Sequence, residues 1–269
     1  MKLCVVGGGK MAEALIGGLI ATEWAQAGEI GVIEVSEERR AYLQQSFAGL
    51  QVAPSCGAAC QDPDFDVSDV LVAVKPQHVT EVANELGAGG ASRALSIAAG
   101  VRLNVLRAGF GPDARVIRAM PNTPALVGQG AAAIAGSITA TADDLAWATQ
   151  ILSAVGTVTT VDEADLDAVT GLSGSGPAYI FLLAEAMVAA GIEQGLSADV
   201  ADALARQTVL GAATLLAESN DGPAQLRSNV TSPGGTTAAA IAVMQTRGLE
   251  KIVSAAIAAA TARSVELGG

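Results

Sequence analysis

The residues able to do chemistry in this chain fall into a few short clusters. The first is Gly7-Gly8-Gly9-Lys10-Met11-Ala12, a G-x-G-x-x-A pattern directly behind the apolar run Leu3–Val6. Glycines there permit a tight turn, and the free N–H groups opening the next helix can meet a pyrophosphate. The pattern alone is weak in a chain with 31 glycines. Its place between the first strand and the first helix favours a dinucleotide site over an ordinary Gly-rich turn, with Gly7, Gly9, Lys10, Met11 and Ala12 as contacts.

Glu34 closes the second strand-like run, where an acidic group would hold ribose hydroxyls and repel a 2′-phosphate. The cofactor is therefore NADPH or NADH, with the lean to NADH. Ser36, Arg39 and Arg40 follow, either as phosphate ligands or as a solvated helix N-terminus, and the second reading is preferred. Val74-Lys75-Pro76 stands at the carboxyl end of another apolar run, where doubly wound folds bind their ligands. Backbone groups of Val74 and Lys75 would meet the nicotinamide ribose there; a plain surface lysine is the equal alternative.

Three further clusters are too rich in Gly, Pro, Ser and Thr for plain core. They are Met120–Pro124, Ser173–Tyr179 and Asn229–Thr237. The first reads as a loop at the same edge as Lys75, or simply as a Pro-stiffened turn. The second opens a long helix, and its glycines equally suit close helix packing. The third is the most informative. Gly234-Gly235 precedes a helix starting at Thr236 or Thr237, so unpaired N–H groups converge on a point suited to a carboxylate. A capped helix start is the alternative. The threonine hydroxyls add donors that can turn toward a ring nitrogen.

Certain chemistries are excluded by composition. One histidine and three cysteines without ligand spacing leave little for a metal site, a disulfide framework or a Ser-His-Asp triad, so no metal is expected. The cysteines read as small buried or half-buried thiols. A net charge of −12 argues against nucleic acid or an anionic membrane as partner. The longest uncharged stretch, 168–184, reads as too short and too broken for a membrane span. With no room for a signal peptide before Leu3, the expectation is cytoplasmic.

These clusters need elements to carry them. Strands are expected at Leu3–Val6, Glu29–Val35, Val70–Val74, Ala94–Ala98, Val116–Met120, Ala131–Ile134 and Thr157–Val161. Helices at Met11–Thr22, Glu37–Phe47 and after Thr141 alternate with them, which is the signature of a doubly wound α/β domain. Beyond residue 162 only helices are expected: Pro177–Gln194, Ser197–Glu218, Pro223–Asn229, Thr236–Gln245 and Leu249–Glu266. The division is thus a dinucleotide-binding Rossmann-type domain over 1–162 and an all-α domain over 163–269. Ala-rich helices such as Ser254–Arg263 carry more small apolar surface than a monomer hides, which implies at least a homodimer.

At these motifs the sequence resembles the Δ1-pyrroline-5-carboxylate reductase family along essentially its whole length. GGGKMA, AVKPQ at 73–77, SIAAGV at 96–101, IRAMPNTPA at 117–125, DAVTGLSGSGPAY at 167–179 and NVTSPGGTT at 229–237 all match, in the family's order. The resemblance implies a Rossmann domain followed by a helical domain that dimerises, sometimes assembled into a decamer. It implies hydride transfer from NAD(P)H to the imine carbon of pyrroline-5-carboxylate, giving L-proline. Carried over by position, Gly234, Gly235 and Thr236, with Ser232 in the same turn, resemble the carboxylate cradle. Thr237 resembles the hydroxyl that bonds the ring nitrogen and is the catalytic candidate. Glu163 and Asn229 match positions lining the proline site, and Asn122 and Lys75 match the nicotinamide end. Glu34-Val35 departs from the Ser or Asn followed by Arg found in many members, which weakens the case for NADPH. Gly222-Pro223 departs from a common His-Pro. The rivals are another reductase or a hydroxyacid dehydrogenase of the same architecture, and a dinucleotide sensor without turnover. A hydroxyacid enzyme usually wants a Lys or His base in the helical domain, and after residue 162 only Lys251 is available.

Overall fold

The computed structural model describes residues Met1–Gly268. They form two compact units, Met1–Ser175 joined by the stretch from Ala259 onward, and Gly176–Ala258.

The first unit is built on an eight-stranded sheet. Its strands are β1 (Leu3–Val6), β2 (Ile30–Ile33), β3 (Gln51–Ala53), β4 (Asp69–Val72), β5 (Arg93–Ser96), β6 (Arg115–Met120), β7 (Gly130–Gly136) and β8 (Gly156–Thr160), in spatial order β3-β2-β1-β4-β5-β6-β7-β8. Helices α1 (Lys10–Ala21), α2 (Glu37–Ser46), α3 (Cys56–Gln61), α4 (Val79–Ala88), α5 (Leu103–Phe110) and α6 (Ala142–Ser153) connect them. Alternation along each strand assigns its side chains to opposite faces. Val70 and Val72 join the core on one face with Ala83, Leu86 and Leu106, whereas Leu71 joins Leu15, Ile16 and Trp147 on the other. Burial on both faces explains why these strands read as unbroken apolar runs.

Differences from the sequence expectations are local. The runs at Glu29–Val35 and Val70–Val74 are strands only over Ile30–Ile33 and Asp69–Val72, because each chain leaves the sheet where it meets the ligand edge. β3 is only three residues long, and α3, α4 and α5 run to six, ten and eight residues; none of these four was expected. Short segments carry too few residues to establish a period. β7 runs antiparallel to β6. The connection from Met120 to Gly130 holds only a short 3-10 turn at Thr123–Val127, too little for the crossover that a parallel pair needs.

Past β8 the chain stays with this unit through α7 (Leu166–Val169) and a π-helical turn at Thr170–Gly174. The division expected at 162 therefore differs from the compact units, which part after Ser175. Buried ties explain the difference. Asp167 is buried and accepts a hydrogen bond from Ser264 at 2.7 Å, and Arg118 of β6 lies 3.9 Å from the same carboxylate.

The second unit holds α8 (Gly176–Glu193), α9 (Ala198–Glu218), α10 (Pro223–Asn229), α11 (Thr236–Thr246) and most of α12 (Leu249–Gly268). All five expected helices are present, with ends moved by at most two residues. α8 and α9 pack together through small residues, with Ala201 and Ala205 buried. Among the described residues none of α8, α10 or α11 is buried, and Phe181, Leu182, Leu210, Val243 and Ile252 are exposed. By length and composition, the helical run Glu163–Glu193 is apolar enough to cross a membrane, longer than the uncharged stretch suggested.

Candidate active site

β1 lies between β2 and β4, where the chain first builds outward to one side and then to the other. In open α/β sheets this switch point is where ligands bind, beyond the carboxyl ends of the strands. The Gly7–Gly9 turn sits there. Gly7 has φ +94, and an added Cβ would stand 2.7 Å from the Ala73 carbonyl oxygen and 3.0 Å from Val74 Cγ1. Glycine is required at that position by both backbone conformation and space. Gly9 has open space where a Cβ would be, and it caps α1 without any side-chain hydrogen bond. The N–H groups of Lys10, Met11 and Ala12 begin the helix and have no preceding turn to bond. This cradle fits a pyrophosphate.

Glu34 follows β2, and its carboxylate is fixed from two sides. Oε2 accepts from the Gly8 N–H and Oε1 from the Ser36 N–H, both at 2.8 Å. Ser36 caps α2, accepting from the Arg39 N–H at 3.3 Å. Arg39 and Arg40 are not the solvated side chains expected. Arg40 donates to the Glu34 and Val35 carbonyls at 2.7 and 2.9 Å, while Arg39 donates to the Gly8 carbonyl and to Glu13, each at 2.5 Å. Glu13 and Tyr42, absent from the sequence reading, complete this group, with the Tyr42 hydroxyl 2.8 Å from Glu13. Their signal was the spacing of Glu13 on the first turn behind the glycines.

Lys75 is exposed, at the N-cap of a 3-10 turn beyond β4, and Val74 is half-buried behind it. Asn122 is nearly buried and uses both ends of its amide. Nδ2 donates to the Ser173 carbonyl at 3.0 Å, and Oδ1 accepts from the Ala131 N–H at 2.8 Å. The Met120–Pro124 and Ser173–Tyr179 clusters thus meet, and a Cβ on Gly174 would press on Met120 Cε at 2.5 Å. The Ser175 N–H closes the π-turn on the Thr170 carbonyl at 2.8 Å. Such turns interrupt helices chiefly where function needs a residue redirected.

Glu163 is tied within the first unit. Its Oε1 accepts from the Leu103 N–H at 2.7 Å, capping α5, and from Arg118 at 3.3 Å. Sequence reasoning missed Arg118 and Asp167. A lone arginine inside an apolar strand was the available sign, since a buried charge requires a partner.

In the second unit the turn before α11 takes the form expected. Gly234 has φ +73 with open space at its Cβ position. The Gly235 N–H bonds the Ser232 carbonyl at 3.1 Å, and no side chain caps α11. Thr236 is exposed and Thr237 half-buried at its first turn. The N–H groups of Thr236 and Thr237 thus open α11 without a side-chain cap. Asn229 is exposed, donating to Asp221 at 3.2 Å and accepting from Gln225 at 2.7 Å.

Comparison with known proteins agrees with this division of labour. Residues 163–267 match the family model for pyrroline-5-carboxylate reductase dimerisation, and 2–102 match NADP oxidoreductase, coenzyme F420-dependent. The chain is 48% identical to a pyrroline-5-carboxylate reductase of Synechocystis, over 100% of this chain and 98% of that one. The solved pyrroline-5-carboxylate reductase of Coxiella burnetii superposes with a TM-score of 0.92 at 35% identity, covering 100% and 98% of the two chains. The Plasmodium falciparum pyrroline carboxylate reductase, solved with NADP bound, gives 0.84 at 26% identity over 100% and 98%. With relatives matched end to end and residues 163–267 fitting the dimerisation model, the chain belongs to the pyrroline-5-carboxylate reductase family.

Proposed function

We propose that this chain reduces the C=N bond of L-1-pyrroline-5-carboxylate to give L-proline. The observation that carries the reading is the uncapped start of α11 behind Gly234-Gly235, in a chain that matches known reductases along its full length. A bound reduced nicotinamide supplies the hydride. The protein's own work is placement. N–H groups of Thr236 and Thr237 hold the substrate carboxylate through the helix dipole, with the turn of Ser232, Gly234 and Gly235 fixing their direction. The Thr237 hydroxyl bonds the ring nitrogen and keeps its proton in place, so the imine carbon stays electrophilic. Asn229, on α10 of the same unit, is a further substrate contact, and Glu163 is carried over to the substrate site by the family resemblance alone. Lys75, Val74 and Asn122 shape the nicotinamide end, and Gly7, Gly9 and Lys10–Ala12 hold the pyrophosphate. No further acid or base is needed, because holding an electrophile against a hydride donor captures most of the available rate gain.

Glu34 favours NADH, since a fixed carboxylate repels a 2′-phosphate. The working unit is a cytoplasmic homodimer, whether or not dimers assemble further into a decamer, and a second copy rather than a membrane covers the exposed apolar helices. The match of residues 163–267 to the dimerisation model supports the pairing. The test is oxidation of NADH and of NADPH by the pure protein with pyrroline-5-carboxylate, alongside sedimentation for assembly. Turnover with proline as product is expected. Folded, oligomeric protein that oxidises neither cofactor would overturn the reading.

A further inference from the structure

The dinucleotide turn is flanked by two cations, Lys10 and Arg39, and one carboxylate has claimed both. Glu13 Oε2 accepts from Arg39 at 2.5 Å and from Lys10 at 3.3 Å, and its Oε1 accepts from the Tyr42 hydroxyl at 2.8 Å. The Tyr42 ring lies against both cations, 4.6 Å from the Arg39 guanidinium carbon and 5.7 Å from Lys10 Nζ. Arg39 also spends its Nε–H on the Gly8 carbonyl, at 2.5 Å. Among the described residues Arg39 makes no ion pair with Glu34, although Glu34 bonds the N–H of that same Gly8. Neither neighbouring arginine pairs with the Glu34 carboxylate: Arg40 donates to the Glu34 and Val35 carbonyls, and Arg39 is neutralised and held toward α1.

We propose that Glu13 is a specificity-determining positioning residue. By anchoring and neutralising Arg39 and Lys10, it withholds both from a ribose 2′-phosphate, so that Glu34 alone decides at that position and NADH is selected. The inference rests on the NADH reading above. Physically, a guanidinium is the group best matched to a phosphate, through paired N–H donors. With its charge answered by Glu13 and its Nε and Nη2 edge fixed by a carbonyl and a carboxylate, Arg39 cannot turn that paired edge to a phosphate without breaking both bonds. The same contacts, with Arg39 foremost, hold the Glu13 carboxyl below its usual range.

The test uses the full-length protein and the probes adenosine 2′,5′-bisphosphate and 5′-AMP, titrated by calorimetry without substrate. Glu13→Gln releases both cations. It is expected to raise the ratio of bisphosphate to 5′-AMP affinity about tenfold. In turnover the gain should appear as a lower KM for NADPH. Glu13→Gln combined with Arg39→Ala should lose the gain. An unchanged or lower ratio in Glu13→Gln overturns the proposal, because Arg39 would then be idle or already set for phosphate. Should that variant fold poorly, Arg39→Ala alone decides. It leaves the wild-type bisphosphate affinity unchanged if Arg39 is withheld, and a weakened affinity refutes the idea. The NADH reading fails separately, if the wild type binds the bisphosphate more tightly than 5′-AMP, whichever way Glu13→Gln moves it.

Discussion

The Glu34 carboxylate and the Gly8 backbone nitrogen lie 2.8 Å apart, so the end of β2 is bonded directly to the turn after β1. The carboxylate we propose for the ribose is therefore held by the same turn we propose for the pyrophosphate. Glu34→Gln keeps the side-chain length and an acceptor but removes the charge. The ratio of kcat/KM for NADPH to that for NADH should rise about tenfold, equivalent to ~1.4 kcal/mol. A ratio that does not move would take the discrimination away from Glu34.

Two glycines on one turn and helix have opposite expectations. A Cβ at Gly18 would meet the Ala154 carbonyl oxygen at 2.6 Å and Val155 Cγ1 at 2.7 Å, whereas at Gly9 it meets nothing. Gly18→Ala should cost about 1–3 kcal/mol in denaturant unfolding with cofactor affinity kept in the folded fraction. Gly9→Ala should unfold like the wild type yet bind NADH more weakly, because the added methyl occupies the pyrophosphate's approach. Equal unfolding of the two variants would contradict this assignment.

Thr237 stands half-buried at the first turn of α11. Thr237→Ala should lower kcat by about tenfold to a hundredfold, matching one lost hydrogen bond to a charged group, ~1.5–3 kcal/mol. Circular dichroism and sedimentation should match the wild type, and Thr237→Ser should recover most of the rate. An unchanged kcat in Thr237→Ala would remove the hydroxyl from the mechanism.

Asp144 is buried at the start of α6. Burial pushes its carboxyl up. Hydrogen bonds from the Thr141 N–H and hydroxyl, then Arg115 and Arg93, outweigh that and leave it below its usual range. A depressed carboxyl adds stability above its unfolded value and loses it as pH falls through the folded one. Asp144→Asn should thus melt lower than the wild type at neutral pH, and the gap should close below about pH 4. Melting curves at several pH values would show a constant gap if Asp144 carried no such linkage.

Much of this protein was legible from residue order alone, for reasons that are local. β1, α10 and the start of α11 are marked by composition within a few residues: an apolar run, a Pro at N1, a Gly pair. Short elements such as β3 and α3 were not legible, because their identity comes from the neighbours they pack against rather than from any period of their own.

The candidate site divides in the same way. Chain order by itself determined the turn chemistry at Gly7–Gly9 and Gly234–Gly235, since glycine backbone freedom and helix N-termini are properties of a few adjacent residues. Only the tertiary structure decided which charges answer one another. Arg39 could have served a phosphate or the solvent, and the fold gave it to Glu13 and Gly8. Glu163 was bound to Leu103 and Arg118, and Asn122 to Ser173. Those pairings join residues far apart in the chain, and their strength depends on burial and angle, which exist only once the sheet has brought its strands together.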